Sequence, residues 1–240
     1  MRRTPEIRMI RAMHDDPPPV PAAPPTPWAR AFARLYDPFL WLGERAGVGG
    51  HRAELLGAAR GRTVEIGAGT GLNLPHLPDH LDELTLLEPD GPMRARLRRR
   101  LDRSGRAVRI LDAPAERLPF AEGSVDTVVS TFVLCTVEDP ARAIGEIARV
   151  LREDGQLLLI EHVRSDSPRR ARWQDRLERP WSRFASGCRC NQETGALLAA
   201  HGFQLDDVRE ASWAAMPPIV RPLIVGRARA GVGSSGTDSA

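Results

Sequence analysis

The feature that most restricts this chain is a strand running without a break into alternating glycines, Val64-Glu65-Ile66-Gly67-Ala68-Gly69-Thr70-Gly71. Glycines so placed allow positive φ and a close backbone approach that any side chain would block. The surrounding pattern says what kind of sheet the turn serves. Short runs rich in Val, Ile and Leu over residues 62–66, 83–88, 107–111, 125–131 and 156–162 read as buried strands. Helical patterns occupy 72–77, 92–103 and 140–152 between them, and two more strand candidates, 203–210 and 219–228, close the chain. Strands alternating with helices imply right-handed crossovers. The expected fold is α/β, a doubly wound, mostly parallel seven-stranded sheet with helical lid segments.

A chain of 240 residues is one ordinary domain, here expected over 28–229. Residues 1–27, with Pro17-Pro18-Pro19 and Pro24-Pro25, read as a proline-rich leader outside any packed core, and the Gly- and Ser-rich residues 230–240 as a disordered tail. Two segments break the alternation. Residues 28–43 form an amphipathic lid helix with a kink expected at Pro38, and a Trp- and Arg-bearing insert occupies 164–191, followed by a helix to His201. That insert follows a central strand, at the end where doubly wound folds bind ligands.

Composition removes several classes. No apolar run approaches the roughly 18 residues that span a bilayer, and Met1-Arg2-Arg3 leads into no apolar segment of a secretory signal. Three cysteines make no disulfide framework, so a cytoplasmic location is expected. A formal charge of +3 argues against a dedicated nucleic-acid binder. All 34 basic residues are arginine, which excludes a lysine Schiff base and the lysine-dependent phosphate loop.

The glycine loop has its own selectivity. A dinucleotide fingerprint would carry its third glycine at position 72, which is Leu72, so a nicotinamide oxidoreductase is disfavoured. Glu65 places a negative charge beside the loop, which repels a pyrophosphate and suits a cationic ligand. The loop therefore favours a cation-bearing nucleoside. Glu88, seventeen positions after Gly71, can accept bonds from both hydroxyls of a ribose.

These residues, followed by Ala115-Glu116-Arg117-Leu118-Pro119-Phe120 and Ser124-Val125-Asp126-Thr127-Val128-Val129-Ser130-Thr131, resemble the class I S-adenosylmethionine-dependent methyltransferases over about residues 64–163. The resemblance implies S-adenosylmethionine as cofactor. Gly67, Gly69 and Gly71 would line its amino-acid and ribose part, with Glu65 beside them. Glu88 would hold the ribose and Met93 pack near the adenine. Ala115 and Glu116 would meet the adenine edge, and Thr131 the methionine moiety. The family often has Asp where this chain has Pro114, so Asp112 or a backbone group would have to read the adenine amino group.

A narrower similarity concerns the methyl acceptor. The stretch from Ser130 to Val137, Glu161-His162-Val163, Trp173-Gln174, Glu178-Arg179-Pro180-Trp181, Gly187-Cys188 and Asn191-Gln192-Glu193-Thr194 are similar to the alkyl-thiol methyltransferases of animal microsomes. Those enzymes carry a hydrophobic N-terminal anchor; this chain has the proline-rich leader, so membrane attachment is not carried over. Bacterial relatives of this core include phospholipid and quinone methyltransferases, and a non-catalytic adaptor on the same fold is the rival from another class. The expected partner is a small-molecule methyl acceptor, with no obligate protein partner.

Methyl transfer from a sulfonium is an in-line displacement that needs alignment and little else. A thiol with a pKa near 8.5 requires only a modest base. His162, at the end of the strand 156–162, is the candidate base, with a rate inflection expected near 6.5 unless the site shifts it; Glu161 is a candidate to orient it. Cys135, Trp173 and Trp181 are candidates for the acceptor pocket, with packing as the alternative for Cys135. Cys188 and Cys190 have the wrong spacing for zinc, and no metal is expected. Arg94, Arg96, Arg98, Arg99, Arg100 and Arg103 read as a solvated basic face. Trp28, Phe32, Tyr36, Phe39 and Trp41 form a stripe that would cover the cleft, with peripheral membrane contact as the alternative.

Overall fold

A computed structural model describes residues 25–106 and 108–231. Most of the leader expected over 1–27 and of the tail expected over 230–240 lies outside the described residues. Their inner ends do not: Pro27 opens the first helix and Ala230 ends the last strand.

The chain builds one seven-stranded sheet. Strands β1 (Arg62–Ile66), β2 (Glu83–Leu87), β3 (Arg109–Leu111), β4 (Val125–Thr131), β5 (Leu151–His162), β6 (Phe203–Ser212) and β7 (Pro222–Ala230) lie in the order β3-β2-β1-β4-β5-β7-β6. All pairs are parallel except those of β7, which runs antiparallel between β5 and β6. Val128, Val129 and Leu157–Ile160 are fully buried, as central strands covered on both faces must be. The strand order reverses between β1 and β4, so the loops leaving these strands diverge and open a crevice above their carboxyl ends.

Helices α1 (Pro27–Gly43) and α2 (Gly49–Leu56) precede the sheet, α3 (Gly91–Ser104) and α4 (Pro140–Val150) are crossovers, and α5 (Pro168–Phe184) and α6 (Thr194–Ala200) follow β5. Asp90 and Asp139 cap α3 and α4 by accepting from the Met93 and Arg142 amides. Pro92 and Pro140 sit in the first turns of these helices, where a missing amide hydrogen costs nothing.

Several expectations need correction. Residues 72–77 hold only a single 3-10 turn, Leu74–His76, because Pro75 and Pro78 leave no room for a longer ladder of amide bonds. The helix expected to 152 ends at Val150, where Leu151 turns extended and β5 begins early. The last strand starts at Pro222; Ile219 sits in a 3-10 turn set by Pro217 and Pro218. Pro38 lies inside helix α1, at the exposed position where the kink is expected. The insert is largely one helix, α5.

The face of α3 is not simply solvated. Asp37 on α1 accepts from Arg100 at 2.7 Å and lies 3.7 Å from Arg96, and it also accepts from Thr70 in the glycine loop. Arg94 pairs with Asp112 at 2.6 Å. One acid thus ties α1 to both the loop and α3.

At its other end α1 seats against the sheet through Gly43, where an added Cβ would run into the indole of the buried Trp213. Gly43→Ala is expected to destabilise the fold by about 1–3 kcal/mol, the cost of overpacking. Denaturant unfolding checks this, and an unchanged midpoint would mean that α1 does not seat there.

Candidate active site

The crevice above β1 and β4 holds a cavity of about 700 Å³, roofed by α1 and α5. One part of its wall comes from the ends of β1 and β2, the first turn of α3 and the 114–116 loop: Gly67, Gly69, Glu88, Met93, Ala115 and Glu116. Another comes from Phe32, Tyr36, Phe132, His162, Trp181 and Phe184.

The glycine loop folds as its sequence requires. Gly67, Gly69 and Gly71 have φ of 54°, 57° and 84°. A Cβ on Gly67 would come within 2.6 Å of Val133, and one on Gly71 within 2.7 Å of Leu97. Gly69 has open space beside it, so its missing side chain leaves room in the crevice. Its amide donates to Glu88 Oε2 at 2.6 Å, while Asp90 N–H donates to Oε1 at 2.8 Å. Burial raises the Glu88 pKa to about 7 against these two bonds. Each oxygen keeps a lone pair for a further donor.

Not every expected cofactor residue borders the cavity. Gly71 packs the loop on α3 instead. Glu65 and Thr131 lie behind the wall in a buried network, where Asn73 Nδ2 donates to Glu65 Oε1 and Thr131 Oγ1, each at 2.8 Å. Burial lifts the Glu65 pKa to about 7, and its Oε2 has no partner among the described residues. Glu116 borders the cavity, yet its Oε1 accepts from the Glu138 amide at 2.9 Å and holds that loop. Asp112, a candidate reader of the adenine, is engaged by Arg94 instead. An open cradle at Gly69 and a buried carboxylate at Glu88 with spare lone pairs fit the ribose of the expected cofactor.

In the aromatic part, Phe132, at φ 59°, stacks on His162 at 4.7 Å and on Trp213 at 4.6 Å. His162 is buried, and desolvation pushes its pKa down to about 4 despite a backbone hydrogen bond with Val220. Its Nδ1 is buried and has no hydrogen-bond partner among the described residues. Glu161 does not orient it. Neighbours on a strand face opposite ways, and Glu161 accepts instead from Ser130 Oγ and the Val133 and Leu134 amides. Cys135 is fully buried on the cavity wall with Cys188 Sγ 3.8 Å away, and this neighbour together with burial keeps its thiol protonated. Trp181 lines the cavity as expected. Trp173 does not: it stands on the outer face of α5, 56% exposed, beneath the Arg176 guanidinium. Trp41 likewise faces outward, under Arg45.

Arg52, Asn73, Phe132, Trp213 and Asp37 escaped sequence reading. Arg52 is almost wholly buried, pairs with Glu44 at 3.0 Å, bonds Asn73 and lies over the Phe132 ring. Among 34 arginines nothing in the sequence marks it. Asn73, just past the last glycine of the loop, carried the only local signal, a polar residue between two leucines.

Residues 64–159 match the family model described as a methyltransferase domain. Human thiol S-methyltransferase TMT1A is 31% identical over 169 residues, 69% of either chain. Human thiol S-methyltransferase TMT1B is 35% identical over 135 residues, 55% of either chain. The phosphatidylethanolamine N-methyltransferase of Cereibacter sphaeroides is 35% identical over 113 residues, 45% of this chain and 54% of that protein. The chain thus spans only about half the length of the latter two. The fold is shared with a SAM-dependent methyltransferase structure from Thermotoga maritima, 24% identical with a TM-score of 0.63, covering 85% of this chain and 98% of that one.

Glu88→Ala is expected to weaken S-adenosylmethionine binding by about 1.5–3 kcal/mol, the scale of hydrogen bonds to a charged group. In the parent protein affinity should rise as pH passes through about 7, because the ribose hydroxyls donate to the ionised carboxylate. Titration calorimetry across that range checks both; equal affinity in a folded variant would refute the ribose assignment.

Proposed function

We propose that this chain, which belongs to the class I S-adenosylmethionine-dependent methyltransferases, methylates the sulfur of a small alkyl thiol. The observation that carries this reading is His162, desolvated and neutral, on the aromatic wall of the cavity, with its buried Nδ1 unpartnered among the described residues.

S-adenosylmethionine, when bound, supplies a methyl group on a positively charged sulfur. The chain's own part is alignment, exclusion of water and the handling of one proton. Glu88 and the loop at Gly67 and Gly69 hold the cofactor's nucleoside, and Phe32, Tyr36, Trp181 and Phe184 shut out solvent beside it.

The proton decides between acceptors. Moving it from a thiol of pKa about 8.5 to an imidazole near 4 costs about 6 kcal/mol before any bond forms. From an ammonium or phenol of pKa about 10 the same transfer costs about 8 kcal/mol. His162 Nδ1 therefore suits a thiol best. Nδ1 is itself buried, so the ring must shift to meet the thiol. The nitrogen then accepts the S–H hydrogen bond, aims a sulfur lone pair at the methyl carbon, and takes the proton as the new carbon–sulfur bond forms and the methyl's bond to the cofactor sulfur breaks, which leaves a neutral thioether. The expected inflection near 6.5 is accordingly displaced: His162 stays neutral from about pH 4 upward.

The similarity to two thiol S-methyltransferases supports this reading. A phosphatidylethanolamine acceptor is the second reading, favoured by the similarity to that N-methyltransferase and by an aromatic wall able to face a methylated ammonium.

Labelled S-adenosylmethionine offered with alkyl thiols, phenols, quinols and phosphatidylethanolamine tests the choice. With S-adenosylmethionine saturating, thiols should turn over fastest, at a rate that stays level from about pH 4 up to the thiol's own pKa with no step near 6.5, because neutral His162 takes the proton from the intact thiol. His162→Ala should slow the reaction by roughly 10²–10⁴-fold. Turnover of lipid or quinol with none of any thiol would overturn the proposal.

A further inference from the structure

We infer that the outer faces of α1 and α5 form a docking surface for an anionic lipid membrane. Among the described residues, every exposed large apolar side chain lies on these two helices, including Leu35, Trp41 and Leu42 on α1 and Trp173 and Leu177 on α5. Isolated surface leucines need no explanation, but a cluster confined to one roof does.

The pattern on α5 is specific. Trp173, Leu177 and Phe184, at i, i+4 and i+11, share one helix face. Arg169, Arg172, Arg176, Arg179 and Arg183, spaced three and four apart, form a second stripe on its flank. All five arginines are exposed, and among the described residues none is ion-paired. The apolar stripe continues onto α1, because the rings of Trp28 and Phe39 pack on Phe184 at 5.8 and 6.0 Å.

A basic stripe beside an apolar stripe matches a bilayer boundary, where acyl chains take the aromatic and leucine side chains and anionic headgroups take the guanidinium groups. A nucleic acid would satisfy the arginines and leave Leu35, Leu42 and Leu177 in water. A second copy docked about a two-fold axis perpendicular to α5 would bury the apolar stripe but bring like-charged arginine stripes together. A lipid surface accommodates both stripes at once. Phe39 and Phe184 belong to this exposed patch and to the cavity wall alike, so the cavity borders the lipid boundary and an apolar acceptor could pass into it from the bilayer. The surface does not depend on which acceptor the cavity takes.

Sedimentation of the full chain with lipid vesicles tests this. With one-third phosphatidylglycerol in phosphatidylcholine at low salt the protein should pellet with the vesicles. Phosphatidylcholine alone should retain much less, and added salt should release the bound protein as the charges are screened. The double substitution Trp173→Ser and Leu177→Ser, at exposed positions outside the cavity, should weaken binding about tenfold or more while thermal unfolding stays unchanged. Absence of binding to the anionic vesicles, or equal binding by the folded double variant, would overturn the proposal. So would a concentration-dependent dimer that the same variant abolishes, since the face would then belong to a second copy.

Discussion

The bond from the Gly69 amide to the Glu88 carboxylate is the constraint around which the site is arranged. It joins the loop after β1 to the end of β2 on one side of the crevice, and it requires the loop to turn through positive φ at Gly67, Gly69 and Gly71. That turn packs tightly enough on Val133 and Leu97 that side chains are barred at two of the three glycines. The carboxylate is desolvated in return, which raises its pKa, and two backbone amides keep it oriented toward the cavity. Loop, acid and neighbouring helix α3 form one unit.

Beneath that unit runs a buried polar network that no single element could support. Arg52 from α2 carries its charge into the interior only because Glu44 answers it and Asn73 accepts a further bond. Asn73 then reaches Glu65 at the end of β1 and Thr131 at the end of β4. The network spans the two strands between which the sheet order reverses and supports the Phe132 ring from below. Glu161 does the equivalent service on the neighbouring strand, gathering Ser130 and the two amides after Phe132. The alternation of a strand places Glu161 and His162 on opposite faces, so one acts as structural cement while the other meets the cavity.

The roof is attached by few contacts of different kinds. Asp37 connects α1 to Thr70 and Arg100, Gly43 seats its far end on Trp213, and the ring of Phe184 links α5 to α1. Gln174 fastens α5 below by donating to the carbonyls of Val163, Cys190 and Ile219. Both helices consequently present one side to the cavity and leave the other uncovered, which is why Trp173 and Trp41 point away from the site.

Local residue chemistry in the sequence determined the parallel sheet, the glycine turn, the acid at the end of β2 and the family to which they belong. These are legible because each rests on a short-range rule: apolar runs for buried strands, glycine for positive φ, and a fixed interval from loop to acid. Element ends were less legible where prolines intervened, as at Pro75 and Pro217. Tertiary structure decided what depends on direction and burial. It set Trp173 outside and Trp181 inside the roof, although both lie on one helix eight residues apart. It separated Glu161 from His162, took Gly71 and Glu65 out of the cavity wall, and kept neutral a histidine expected to titrate near neutrality. The physical reason is common to all of these. Which way a side chain points and how much water it loses are set by elements distant in the chain, and a pKa follows from that loss of water rather than from the residue's neighbours in sequence.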